Sequence, residues 1–417
     1  MELRRVVVTG LGAVTPLGND VPSTWQAMLN GVSGAGSITL FDATQFKTHF
    51  ACEVKNFDPS AVVDRKEARK MDRCAQFALV AAEEAYKNAK LDLEAEDKER
   101  FGVIIGSGMG GLRSLENEIA EHAIGTGEPR FNPFFIPKSI SNMIAGQISL
   151  RFGLKGPSFV VVTACSSSAH AISEAADLIR LGKADVIFAG GADSDITIGS
   201  IGGFNAMHAL STRNDEPERA SRPYSKSRDG FVLGEGAGML ILEEYEHAVK
   251  RGAPILAELV GAAMNSDAYH ITAPDPSGAG AAKVMQLALK EAGIEPSAID
   301  YINTHGTSTP LGDVAELKAI QEVFGEHAYE LNISATKSMT GHLLGATGAV
   351  EALTCIMAIQ NSIVPPTINH DEADEDENID YKLNFTFNQP QQRPVRYALS
   401  NTFGFGGHNA ALIFKKL

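Results

Sequence analysis

Residues 159–175 read FVVVTACSSSAHAISEA. A run of valines stops, a cysteine follows, and small residues open a segment in which Ala169, Ile172, Ala176 and Ile179 recur at helical spacing. This predicts a buried strand, a tight turn carrying Cys165, and a helix whose first turn uses Ser166, Ser167 and Ser168. A free cysteine is more often a small buried hydrophobe than a nucleophile. At a helix N-terminus, however, the aligned peptide dipoles and free N–H groups favour a thiolate and lower the thiol pKa. The turn follows the logic of the elbow that exposes a hydrolase serine, although Gly-x-Ser-x-Gly is absent.

Outward from this stretch, short Val/Ile-rich runs alternate with amphipathic ones. RRVVVTGLG, RFGVIIGSGMGG, ADVIFAGGAD, GMLILEEY, ILAELVGAAM, DYINTHGTST and NAALIFKKL lack clean alternation, which predicts strands buried on both faces. AQFALVAAEEAYKNA and AKVMQLALKEAG are helical, the second stopping at Gly293. The pattern predicts an α/β protein. A chain of 417 residues exceeds one minimal core, so two domains or one two-part unit are expected. A boundary fits near YEHAVKRGAP, residues 245–254. No short repeat is visible, but each half opens with strands and carries a candidate nucleophile or base at a strand end, which hints at duplication.

Composition narrows the function. Cys52, Cys74, Cys165 and Cys355 are widely spaced, which fits a reduced, cytoplasmic protein. No apolar run approaches a membrane span, and the N-terminus lacks a signal-peptide pattern. The formal net charge of −15 argues against non-specific nucleic-acid binding. An acidic partner would need a local basic patch. DRKEARKMDR supplies one: as a single helix it would align Lys66, Arg69, Lys70 and Arg73. The acidic run DEADEDENID, 371–380, reads as a solvated loop.

YINTHGTSTPLGDVAEL places His305 just past a strand. SATKSMTGHLLGATGAVEALTCIMAIQ places His342 before a long apolar helix, near Lys337 and Glu351. One such histidine is usually structural; two, each in a Gly/Thr-rich turn, point to chemistry. The positive end of a helix biases a histidine towards neutrality. Two neutral imidazoles donating N–H groups to one carbonyl oxygen would stabilise an enolate. A Cys/His/His set also raises zinc, but structural zinc takes local ligand pairs, and these three are far apart in sequence, so no metal is expected. GSGMGG, residues 106–111, follows a strand and raises a nucleotide-binding oxidoreductase. The next stretch, LRSLENEIAEHAIGTGEPRFNPFF, offers no second buried strand, so the glycines read as a close backbone turn.

VTACSSSAHAI, NTHGTSTPLGD, SATKSMTGHLLGATGAVEA and SNTFGFGGHNA resemble the signature blocks of the β-ketoacyl-[acyl-carrier-protein] synthases. VVVTGLGAVTPLG, GGFNAMHALSTRND and SRPYSKSRDGFVLGEGAG belong to the same pattern. The resemblance runs from residue 5 to the C-terminus and is nearest to the type II elongation enzymes. It implies a thiolase-like fold, with two duplicated βαβαβαββ halves stacked in α-β-α-β-α layers. Residues 1–253 would carry the nucleophile and residues 254–417 the histidines, in a homodimer. It implies a cofactor-free decarboxylative Claisen condensation: an acyl chain on Cys165 is attacked by the carbanion of a malonyl-carrier protein.

The same resemblance assigns roles. His305 and His342 would bind the malonyl carbonyl. Lys337 would set the electrostatics with Glu316 and Glu351, with Asp313 supporting the site. The N–H groups of Cys165 and Phe405 would form the oxyanion hole. Thr307 and Thr309, with Thr272 nearby, would hold the phosphopantetheine arm. Phe405 would gate the site, Met109 and Phe204 would line the acyl pocket, and Phe403 would adjoin substrate. The basic face would dock the acidic acyl carrier protein. The chain departs from the family pattern at Ser166–Ser168, Ala273 and His408. Rival readings are a chain-length-factor-like subunit, which lacks the cysteine; a thiolase, which needs a second cysteine near the C-terminus; and a starter synthase, which pairs a histidine with an asparagine.

Overall fold

A computed structural model describes residues 3–124 and 130–417. One sheet contains β1 (Val6–Val14), β2 (Phe101–Gly106), β3 (Ser158–Val161), β4 (Val186–Asp193) and β5 (Gly236–Glu244). It continues through β6 (Ala257–Ser266), β7 (Tyr301–Asn303), β8 (Asn332–Ser334), β9 (Tyr397–Gly404) and β10 (His408–Lys415). The spatial order is β8-β7-β9-β10-β6-β1-β5-β4-β2-β3. Within each set of five, the order is third, second, fourth, fifth, first. The pairing senses also repeat: the second strand is parallel to the third and fourth, and the fifth is antiparallel to the fourth and first. The hint of duplication is thus realised in the topology. Among the described residues, the strands of the two sets pair with each other only where Val7 and Val8 face Glu258 and Ala257.

Helices complete the layers. α1 (Arg73–Ala89) packs Phe77 and Ala81 against Ile105, Phe188 and Ile241 on the outer face of the first set. α2 (Ser167–Arg180) and α5 (Thr347–Asn361) lie between the sets, sharing a core with Ile187, Leu240, Leu412 and Phe414. α3 (Ala279–Ala292) and α4 (Pro310–Phe324) cover the outer face of the second set. Both central helices are buried over most of their length because each lies between two sheet faces. They also approach closely: a Cβ added at Gly348 of α5 would lie 2.9 Å from that of Ala169 in α2. Gly293 ends α3 with φ +66°, as its position predicts. Among the described residues no helix is long and apolar enough to cross a membrane.

Three expectations are corrected. β3 is an edge strand, not a buried one: Phe159 within it is 38% exposed and Val162 just beyond it 57%. A run of valines cannot report that one neighbour is missing. The basic segment is also not one helix. Arg65–Ala68 makes a single turn, and the Asp72 carboxylate then accepts the Cys74 N–H (3.0 Å) to start α1. Arg73 turns inward, 2.8 Å from buried Glu235 and over the Phe57 and Phe77 rings, so it does not share a face with the exposed Lys66 and Arg69. Lys70 pairs with Glu67. The acidic run is no free loop either: Asp374 and Asp376 accept from the buried Arg222 (3.2 Å) and Arg228 (2.7 Å). Buried guanidinium groups need such partners.

A Cβ at Gly12 of β1 would sit 1.9 Å from the Ala81 carbonyl oxygen of α1. Gly12→Ala should therefore destabilise the fold by about 1–3 kcal/mol through overpacking. Urea unfolding reads this directly, and an unchanged midpoint would contradict the close approach of α1 to β1.

Candidate active site

Cys165 sits in the turn between β3 and α2. Ala164 takes a left-handed φ of +52°, which makes the turn sharp. The three serines tie this turn down rather than cap the helix. The Ser166 hydroxyl reaches the carbonyls of His408 (2.8 Å) and Thr402 (3.1 Å). The Ser167 hydroxyl accepts the Thr163 N–H (2.9 Å), and that of Ser168 accepts the Ala349 N–H of α5 (2.9 Å). The helix start is buried against the second half, so the Ser166 and Ser168 hydroxyls find distant partners, while Ser167 closes the turn locally.

His342 lies in the loop before α5. Its N–H donates to Val232 (2.7 Å), and its carbonyl accepts from Gly234 (2.9 Å). Its Nε2 lies 3.0 Å from the Cys165 Sγ, and its Nδ1 lies 2.9 Å from the Thr347 hydroxyl. His305 follows β7. The Glu316 carboxylate accepts the N–H groups of His305 (2.8 Å) and Gly306 (2.9 Å), and the Asn401 amide (3.2 Å). The two imidazole rings are 5.3 Å apart at 86°. One donor atom each from Cys165, His305 and His342 lies within 4.8 Å of the others. Lys337 is buried and ion-paired with Glu351.

Burial governs the charge states. It pushes the Cys165 thiol up to about 11, against Lys337 and the N–H groups of Phe405 and of Cys165 itself. The expectation of a lowered thiol pKa is thereby corrected: desolvation outweighs the helix terminus. Burial, reinforced by Lys337, holds both imidazoles well below the usual histidine value, so they are neutral. Burial raises the Glu316 and Glu351 carboxyls, with Lys337 opposing.

The loop after His305 is firmly held. Ser308 adopts φ +67°, with its N–H on Asp313 (3.1 Å). Arg228 donates to the carbonyls of Thr309 (3.1 Å) and Pro310 (2.8 Å). The Thr307 and Thr309 hydroxyls are consequently 3.0 Å apart. Phe405 lies between Gly404 and Gly406, and the Gly406 N–H donates to Ile271 (2.8 Å), bringing the Thr272 segment against that loop. Phe405 packs with Phe204, Phe231 and Leu344, and the Phe231 ring lies 5.3 Å from His342. Phe403 is 5.7 Å from His305. Met109 is 41% exposed, with its backbone N–H on the Asp193 carboxylate. His408 packs beside Gly406 and edge-on to His170.

Several residues carry no sequence signal of their own. Thr347, Arg228 and Asn401 are visible only once the chain is folded. So is Asp193, which accepts from Ser107 (2.6 Å), Gly108 (2.9 Å) and Gly345 (2.7 Å). That carboxylate takes the Gly108 N–H that a phosphate would require. A Cβ at Gly111 would lie 1.8 Å from the Lys138 carbonyl oxygen, so GSGMGG serves close backbone approach, as expected. Among the described residues, Cys165, His305 and His342 form the only converging set of three or more Cys, His or acidic donors. Buried oxygens of Asn303, Glu351, Ser400 and Asn401 have no partner from the chain, a donor type suited to water or a hard cation.

Residues 3–248 match the family described as Beta-ketoacyl synthase, N-terminal domain, and residues 256–371 match Beta-ketoacyl synthase, C-terminal domain. A Coxiella burnetii protein named 3-oxoacyl-[acyl-carrier-protein] synthase 2 is 48% identical over 100% of both chains. The solved ishigamide ketosynthase/chain length factor aligns with a TM-score of 0.92 at 33% identity, over 100% of both chains. A type II PKS acyl-carrier protein in complex with its ketosynthase aligns with a TM-score of 0.90 at 34% identity, again over 100% of both.

A thiol pushed up to about 11 remains protonated through neutral pH. The rate of Cys165 alkylation by iodoacetamide should rise steadily from pH 7 to pH 10, and Lys337→Ala should slow it. A plateau below pH 8 would contradict the dominance of burial.

Proposed function

The chain belongs to the β-ketoacyl synthase family, and we propose that it joins an acyl chain on Cys165 to the carbanion of a malonyl-[acyl-carrier protein]. It is a condensing acyltransferase of fatty-acid elongation. The observation that carries the residue assignment is the 3.0 Å contact between the Cys165 Sγ and the His342 Nε2, with His305 alongside.

In the first half of the reaction, Sγ attacks the thioester carbonyl and its proton passes to the His342 Nε2. The oxyanion faces the N–H groups of Cys165 and Phe405, which already act on the sulfur. The carrier thiolate leaves and takes the proton. In the second half, both neutral imidazoles donate N–H groups to the malonyl thioester oxygen. Carbon dioxide departs, leaving its electron pair as the enolate. The enolate carbon attacks the acyl carbonyl, the Cys165 thiolate is expelled, and it takes a proton from solvent to restore the thiol. Lys337, held by Glu351, adds its positive field to burial in keeping the imidazoles uncharged, so that they remain selective for the developing oxyanion.

Thr307 and Thr309 bind the phosphopantetheine arm, Phe405 gates the acyl pocket, and Phe204 lines it. The exposed Lys66 and Arg69 form the centre of the docking patch for the acidic carrier protein. The halves meet at residues 253/254; the family matches, which break between residues 248 and 256, support this placement. The assembly is a homodimer. The apolar outer edge at β3, with Phe159 and Val162 exposed, supports a second copy covering it. A non-catalytic chain-length-factor role is disfavoured by the assembled Cys165, His305, His342 and Lys337.

Cys165→Ala should abolish acyl transfer while preserving assembly mass by light scattering; a labelled acyl chain still attached covalently would sink the nucleophile assignment. Charge reversal at Lys66 and Arg69 should weaken carrier-protein binding more at low than at high salt. Binding isotherms with no salt dependence would refute the docking patch.

A further inference from the structure

The two halves of the reaction ask opposite things of His342. To accept the thiol proton, Nε2 must present its lone pair, so Nδ1 carries the hydrogen. To donate to the malonyl oxygen, Nε2 must carry the hydrogen, so Nδ1 presents the lone pair. Whatever faces Nδ1 must therefore serve as acceptor in one half and donor in the other. A carbonyl or carboxylate would lock the first tautomer, and a backbone N–H the second. A hydroxyl can do both, because it combines a rotatable O–H with lone pairs.

The group facing Nδ1 is the hydroxyl of Thr347, at 2.9 Å. It is buried, and the turn that brings it there is fixed. Leu344 takes φ +47°, and the Gly345 N–H is pinned to Asp193 at 2.7 Å. The Nδ1 atom of His305, by contrast, is buried without a hydrogen-bond partner, so Thr347 gives His342 a control that its neighbour lacks.

We propose that Thr347 is a positioning residue that reverses its hydrogen bond to the His342 Nδ1 between acyl transfer and decarboxylation, stabilising each tautomer in turn. This rests on the roles given to His342 above. In Thr347→Val, Nδ1 loses its partner. A buried N–H without an acceptor is the worse alternative, so the ring settles with hydrogen on Nε2. The form that accepts the thiol proton is then depleted, and the form that serves the enolate is kept.

The test separates the two halves. Acylation of Cys165 from an acyl-carrier thioester is followed by rapid-quench mass spectrometry, and carbon dioxide release from malonyl-carrier protein is followed on the pre-acylated enzyme. Thr347→Val should slow acylation about tenfold, the worth of one hydrogen bond, and leave carbon dioxide release within threefold. Thr347→Ser should restore acylation. Histidine-selective ¹⁵N shifts should report hydrogen on Nδ1 in the wild type and on Nε2 in Thr347→Val. Equal slowing of both halves, no rescue by Ser, or the same tautomer in both proteins would overturn the proposal. His342→Ala is the independent control: undiminished carbon dioxide release in that variant would refute the role of His342 itself.

Discussion

A sulfur from the first half of the chain and an imidazole nitrogen from the second meet at 3.0 Å, and the rest of the site depends on that meeting. The contact is set by the central layer. The turn that holds Cys165 leads into α2, α5 follows His342, and the two helices touch where Gly348 faces Ala169. A larger residue at either position would wedge the helices apart and separate the sulfur from the ring. Duplicated topology makes this possible: each half presents a helix start towards the same interior, one bearing a thiol and the other a histidine.

Burial then decides the chemistry. A water-filled site would leave the histidines free to charge and the thiol near its ordinary value. Here desolvation holds the imidazoles neutral and the thiol protonated, so the site is uncharged at the reacting atoms until substrate arrives. The buried cation close by, Lys337, is paired with Glu351. Such a pair is weak evidence for stability, because its desolvation cost rivals its attraction. Its effect is electrostatic: a fixed positive field that favours the thiolate and opposes imidazolium. Donors held in place before the reaction need no reorganisation when the enolate forms.

Much of this was legible in the sequence. Valine runs, helical spacing and glycine stops report local propensity, and they located β1, α1, α3 and the Cys165 turn. The cysteine and both histidines stood out because each interrupts a regular element with small residues. What escaped depends on distant partners. The composition of FVVV is the same in a central strand as at an edge. Arg73 looks like any helical cation until buried Glu235 is placed beside it, and the acids at 374 and 376 look solvated until Arg222 and Arg228 face them. The direction of the thiol shift could not be read from a helix terminus alone, since desolvation is a property of the folded surroundings. Thr347 is invisible for the same reason: five residues after a histidine has no meaning until Leu344 turns the chain back.

The account's centre is that one sulfur holds the acyl chain while the adjacent imidazoles create the attacking carbon. Intact-protein and peptide mass spectrometry in a single turnover tests this most directly. The wild-type protein should gain one acyl mass on the peptide containing Cys165. It should lose that mass when malonyl-carrier protein is added, as the 3-oxoacyl product is formed. An adduct on another residue, or product formed with no acyl-enzyme on its path, would contradict it.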